Sequence, residues 1–237
     1  MSANGDVAPA PAELLVQAQR VMPALTLDQY ALARVVASEL GNGAVAEQAA
    51  IAAADAMRAK QRGRGVHAHV VGNNGRYGRQ GYAGRLVATS QDPSLGHVLL
   101  AREVLGGTAT GAAGGGHVYF DAVVQLNLWK AGRKALHPAV ILRKWTDNRS
   151  AQNCRLVDGR YTCDLGPAAA SGRLEWVGPL AGVRPLRLMI FRSATANAAA
   201  LNAAAAAELA RLEAPLPAVV ADVAGLAAIL FAAWGIA

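Results

Sequence analysis

Two cysteines bracket an Asp-Gly dipeptide in the run Cys154-Arg-Leu-Val-Asp158-Gly159-Arg-Tyr-Thr-Cys163. Asp-Gly is the strongest two-residue hairpin signal, because a type I′ turn needs positive φ at both central positions. Each cysteine stands four positions out from its side of the turn, so the two face each other across the hairpin. Counting outward, Val157–Arg160 is a hydrogen-bonded pair, Leu156–Tyr161 is not, Arg155–Thr162 is, and Cys154–Cys163 is not. Non-hydrogen-bonded positions bring Cα atoms to about 4.5 Å, near the short end of disulfide geometry. The spacing predicts a disulfide and an oxidising destination. The other reading, a reduced pair on a metal, lacks further ligands nearby.

The rest of the chain must build a core from small side chains. Of 237 residues, 53% are apolar but only 5% are aromatic. That hydrophobicity excludes wholesale disorder, and two cysteines are too few for a disulfide scaffold. A core of Ala, Val and Leu packs helices closely, which with the hairpin predicts an α+β fold, mainly α. The length suits one domain with extensions, or two small ones.

Met1 to Pro11 has no basic residue and no apolar run, so residues 1–23 read as a flexible segment rather than a signal peptide. Thr195 to Glu213 is Ala-dominated and helix-prone. Pro215 and Pro217 stop it before Leu216 to Ala237, where Asp222 is the one charge in 22 residues. An apolar helix of about 20 residues spans a bilayer core. The tail therefore has two readings, a membrane helix or a helix buried in a protein interface. The expected organisation is a domain over 24–193, a helical linker over 194–215 and an apolar helix over 216–237.

Charge is uneven. No acidic residue lies between Asp55 and Asp92, while that stretch holds seven Arg or Lys, as many as the net charge of +7. Seven Gly and Tyr77 and Tyr82 punctuate it, which reads as loops with short strands able to attract a polyanion. The commoner reading of such a run is a solvated loop. His67 and His69 alternate as on a strand, without acidic or Cys partners that would suggest a metal. The Gly-rich run 106–116 lacks the Gly-Lys-Ser/Thr of a phosphate loop and reads as a mobile loop leading to His117-Val118-Tyr119-Phe120-Asp121.

Thr26-Leu27-Asp28-Gln29 fits a capping box, Leu25 and Tyr30 a hydrophobic staple, and Gly41 a C-terminal stop. A helix is expected over Leu27 to Leu40. Its apolar stripe, Leu32, Val35 and Val36, continues into Glu39. Partial burial and the negative end of the helix dipole both penalise ionisation of that carboxyl. A general acid for glycoside cleavage requires such a setting. A carboxylate that simply bonds Asn42 or an Arg is the plainer reading. A second, Ala-rich helix over Val45 to Lys60 is expected to pack directly behind the first, with Asp55 and Arg58 as an intrahelical pair.

Residues 32–58, Leu-Ala-Arg-Val-Val-Ala-Ser-Glu39-Leu-Gly-Asn-Gly-Ala-Val-Ala-Glu47 through Asp55-Ala-Met-Arg58, resemble the opening of cell-wall hydrolases of the spore-cortex lytic enzyme SleB type. Met57 stands where that family usually has Asn before Arg58. Arg79-Gln80-Gly81-Tyr82 and Gly116-His117-Val118-Tyr119-Phe120-Asp121 are similar to its groove segments, and 176–191 to the closing strand region of phage-encoded relatives. The resemblance covers about 30–192. It implies a lysozyme-like catalytic domain that cleaves the glycan strand of peptidoglycan without a cofactor. Glu39 matches the general acid, and Gln80, Tyr82, His117 and Tyr119 would contact the sugar. Glu47 is the nearby candidate for a second acid or support, although a helix start favours its charge. Phe120 reads as core, and Asp121 as the N-cap of a helix over Ala122 to Ala131.

A lytic transglycosylase of this type manages with one Glu, which suits a stretch empty of acids. A chain that acts in the periplasm without a signal peptide suggests delivery by a phage-like particle, with 216–237 in the inner membrane or among virion proteins. Two other readings are a structural virion or conduit protein that keeps the fold without turnover, and a nucleic-acid binder using the Arg/Gly/Tyr stretch. No nucleic-acid motif is present, so no specific nucleic acid is expected.

Overall fold

The computed structural model describes residues 16, 19, 20, 24–40, 42–71, 93–170 and 172–214. Gln80, Tyr82, Gly41 and the apolar tail 216–237 lie outside the described residues. The fold is α+β. Helices α1 (Leu27–Leu40), α2 (Val45–Gln61), α3 (Val66–Val71) and α4 (Leu95–Leu105) pack into one core. Helices α5 (Ala122–Lys130), α6 (Pro138–Thr146) and α7 (Ala198–Glu213) enclose a second. Strands β1 (Val118–Phe120), β4 (Leu174–Trp176) and β5 (Met189–Ser193) form an antiparallel sheet in the order β1-β5-β4. Strands β2 (Arg149–Val157) and β3 (Arg160–Ala168) form a separate hairpin.

The first helix spans the expected residues. Its capping box closes both ways: Gln29 N–H donates to Thr26 Oγ1 at 3.2 Å, and Thr26 N–H donates to Gln29 Oε1 at 2.9 Å. Leu25 and Tyr30, the staple pair, are both buried. Every residue from Tyr30 to Val36 is buried, so α1 runs through the core rather than along it on one stripe. Even Arg34 is enclosed, with its guanidinium 5.4 Å from the Tyr30 ring centroid. Behind α1 lies α2, where Ala50, Ile51, Ala52, Ala53 and Ala54 are all buried. Small side chains allow this close contact.

His67 and His69 sit on a helix, not the expected strand. The reason is a tertiary cap: the Asp28 carboxylate of α1 accepts the His67 N–H at 2.8 Å, satisfying a donor of the first turn of α3. The run 106–116 is also more ordered than expected. It holds a 3₁₀ turn, Thr110–Ala113, before β1. Gly116 has no room for a side chain, because a Cβ there would collide with Ile190.

The sheet divides the two cores by strand alternation. Tyr119 pairs with Ile190, and both face the helical core. Their neighbours Phe120 and Met189 are paired and face the second core, as does Phe191. There Phe120, Trp145 and Phe191 form a ring cluster, with centroids 5.1 to 5.8 Å apart. Phe120 is thus a core residue, as expected. Asp121 caps α5, its carboxylate accepting Val124 N–H at 2.9 Å.

The segment expected as a linker is part of the domain. Helix α7 buries Ala205 and Leu209 in the second core. Its Asn202 amide accepts the Trp176 N–H at 3.0 Å and donates to Leu174 O at 3.2 Å, clamping it to β4. Among the described residues no helix is long and apolar enough to cross a membrane.

The hairpin follows its expected register, with Val157 opposite Arg160, Leu156 opposite Tyr161 and Arg155 opposite Thr162. Asp158 and Gly159 both have positive φ, 48° and 74°, as a type I′ turn demands. Cys154 and Cys163 are joined by a disulfide with Cα atoms 4.1 Å apart. Just beyond, the register shifts between Gln152 and Arg155, where Asn153 has a φ of 47°.

Candidate active site

Glu39 lies in the last turn of α1, where the helix emerges from the core. Residues 37–40 are all half-buried, in contrast to the enclosed turn before them. This end of α1 is firmly held. The Gln48 amide nitrogen of α2 donates to the Leu40 carbonyl at 3.1 Å, and lies 3.2 Å from His97 Nε2 of α4. His97 is itself fixed, since its Nδ1 accepts Ser94 N–H at 3.1 Å in a capping box. Gly43, in the turn that follows, sits so close to Leu40 that any Cβ would collide with it. The end of α1 that carries Glu39 is therefore a rigid support, its Leu40 carbonyl accepting both the Gln48 amide and the Gly43 N–H.

Glu47, the expected second acid or support, is fully buried in a forked ion pair. Arg184 donates Nε to Oε1 at 2.7 Å and Nη2 to Oε2 at 2.8 Å, and its backbone N–H also donates to Oε1 at 3.2 Å. The Arg184 bonds hold the Glu47 carboxyl below its ordinary range, against the opposing effect of burial. A carboxylate so enclosed and so engaged has no proton to donate and no face open to a sugar. It ties α2 to the chain before β5.

The two groove residues at β1, Tyr119 within it and His117 just before it, stand elsewhere. Tyr119 is buried in the helical core and its hydroxyl donates to Asp55 Oδ2 at 3.0 Å. Its ring is a packing surface, not a platform for sugar, because it points to the α2 side of the sheet. His117 is half-buried, with Nδ1 3.2 Å from the Gln61 amide nitrogen at the far end of α2. Gln48 marks the Glu39 end of the same helix. Thirteen residues at 1.5 Å each separate those marks by about 20 Å along the axis. His117 therefore stands too far from Glu39 to bond it directly. Burial, and then the Arg58 charge, hold its imidazole below the ordinary range.

Polar ties thus run along the length of α2: Glu47 to Arg184, Gln48 to His97, Asp55 to Tyr119 and Gln61 to His117. A partial signal for them exists in the sequence. Gln48 and Asp55 are seven apart, on one face of an Ala-rich helix, and a polar residue on a buried face must find a partner. Which partner it finds is not readable locally. A cleft of about 660 Å³ opens at the opposite end of the helices from Glu39, between Asp28, Met57, Lys60, Arg64 and Leu105. Burial raises the Asp121 carboxyl above its ordinary value despite the Val124 amide and Arg187. Among the described residues no group of three or more His, Cys, Asp or Glu is placed to hold a metal. No family model, no curated protein and no solved structure matches the chain.

Proposed function

We propose that the chain cleaves the glycan strands of peptidoglycan, with the Glu39 carboxyl as its acid, on a lysozyme-like arrangement of α1, α2 and α4. The observation that carries this reading is the placement of Glu39: half-buried, in the last turn of an enclosed helix, and backed by the Gln48–His97 clamp. The neutralised, enclosed Glu47 favours a single-carboxyl scheme. In it, Glu39 protonates the glycosidic oxygen as the bond from that oxygen to the anomeric carbon breaks. The resulting carboxylate takes the proton of the sugar's own 6-hydroxyl as that oxygen attacks the anomeric carbon. The product is a 1,6-anhydro ring, and Glu39 regains its proton. The disulfide suits an oxidising compartment such as the periplasm, where this polymer lies. Delivery in a phage-like particle completes the reading.

Mass spectrometry of muropeptides released from purified sacculi tests it. Anhydro-muropeptides from the wild type, absent with Glu39→Gln, are expected. Reducing-end products that also vanish in the variant would keep Glu39 but demand a positioned water. No products from either protein would replace this reading with a structural role in the particle, which the distance of His117 and the burial of Tyr119 favour.

A further inference from the structure

The outer face of α5 and the tip of the hairpin form one surface with unusual composition. Val124 and Leu128 lie four apart on α5 and are 40% and 38% exposed. The next position on that face is Gly132, after the helix end. A Cβ at Gly132 would fall 2.6 Å from Gly159 O and 3.8 Å from Leu156 Cδ1. The hairpin turn is therefore seated on Gly132, and the apolar line continues from Leu128 into Leu156 and Val157, which are 62% and 40% exposed. An aliphatic pair at the end of a projecting hairpin gains nothing from water.

Cations flank this line. Lys130, Arg133 and Lys134 surround Gly132 in the chain and are exposed. Arg160 is exposed at the turn, its guanidinium 5.1 Å from the Trp129 ring centroid. Among the described residues none of the four has a carboxylate partner. The nearby acids have other partners, Asp164 in an ion pair with Arg155 at 3.3 Å and Glu213 hydrogen-bonded to His137 at 3.0 Å. Asp158 of the turn offsets one positive charge and leaves an excess.

We propose that this face docks on an anionic lipid bilayer. Aliphatic tips enter the headgroup boundary while the flanking Lys and Arg, with Trp129 between them, meet the lipid phosphates. A nucleic acid would engage the cations but offer the exposed Leu156 and Val157 no apolar partner. The surface shares no residue with the Glu39 site and does not depend on its role.

The test is co-sedimentation of the full chain with vesicles of phosphatidylglycerol and phosphatidylethanolamine, against neutral phosphatidylcholine vesicles. Two variants are compared with wild type: Lys130→Gln with Arg133→Gln and Lys134→Gln, and Leu156→Ser with Val157→Ser. All five positions are outside the cores, and near-ultraviolet circular dichroism reports that packing is kept. Binding selective for the anionic vesicles, weakened roughly tenfold or more by each variant, is expected. Equal binding to both vesicle types, or variants that bind as wild type does, would overturn the proposal and move membrane contact to another segment. Retention on duplex DNA lost in the charge variant but kept in the Leu156/Val157 variant, without vesicle binding, would replace the bilayer with a nucleic acid.

Discussion

The two cores solve the same problem with opposite materials. The helical core is built from Ala, Val and Leu around α1 and α2, and its aromatic members are Tyr30 and Tyr119. The second core gathers Phe120, Phe191 and Trp176, with Trp145 packed against them. Small side chains fill the space between α1 and α2, and each offers little apolar area. Specificity there falls to polar ties between distant parts of the chain. Rings bury much area each and interlock by shape. One three-stranded sheet serves both, because alternate residues of β1 and β5 face opposite ways.

The contrast predicts that one core breaks by removal and the other by addition. Phe191→Ala takes a fully buried ring from the cluster and is expected to cost about 3–5 kcal/mol. Urea denaturation measures it, and a loss below about 1 kcal/mol would show that the ring core contributes little. Next comes the disulfide, which closes a short loop of sequence separation 9. Cys154→Ser with Cys163→Ser is expected to cost about 2–3 kcal/mol. Hydrogen exchange should place the loosening in β2 and β3 and leave α1 and α2 protected.

In the helical core the informative change is an enlargement. Ala52→Leu, at a fully buried position, is expected to cost about 1–3 kcal/mol through overpacking. A neutral result in a melt would mean that α1 and α2 have slack between them. Tyr119→Phe removes the hydroxyl that donates to buried Asp55 and should cost about 1–2 kcal/mol with the ring still packed.

The smallest effect is a pH dependence carried by two buried carboxylates. Arg184 lowers the Glu47 carboxyl below its ordinary 4.5. Burial opposes the charge of Glu175 on β4, yet the Thr195 amide and hydroxyl and Arg192 hold it below 4.5 as well. A depressed folded-state value means stability that is present above the ordinary value and lost as pH falls through the depressed one. Acid titration followed by circular dichroism should show this loss below about pH 4.5, blunted in Glu175→Gln.

How much of this was legible depended on distance along the chain. The capping box of α1 and the Asp158-Gly159 turn each involve neighbours, so local chemistry suffices to place them. The same holds for Asp121, three residues from the amide it caps. His67 and His69 misled because two alternating imidazoles do not report what each face touches, and the cap that makes α3 a helix comes from Asp28. Asp55 suggested its neighbour Arg58, yet it receives the Tyr119 hydroxyl from a strand 64 residues on. The candidate site divides the same way. Glu39 was placed correctly at a helix end, whereas Tyr119 is buried in the core and His117 stands at the far end of α2.

By itself, the sequence determined the bounds of α1, the register of the hairpin, the pairing of Cys154 with Cys163 and the need for an Ala-packed core. Each follows from steric and hydrogen-bonding limits acting over a few residues. Only the tertiary structure decided that Glu47 is neutralised by Arg184, that His117 stands at the far end of α2 from Glu39, and that α7 belongs to the ring core. Those outcomes depend on which buried polar groups meet after the helices collapse. Desolvation demands a partner for each of them, but nothing local names it.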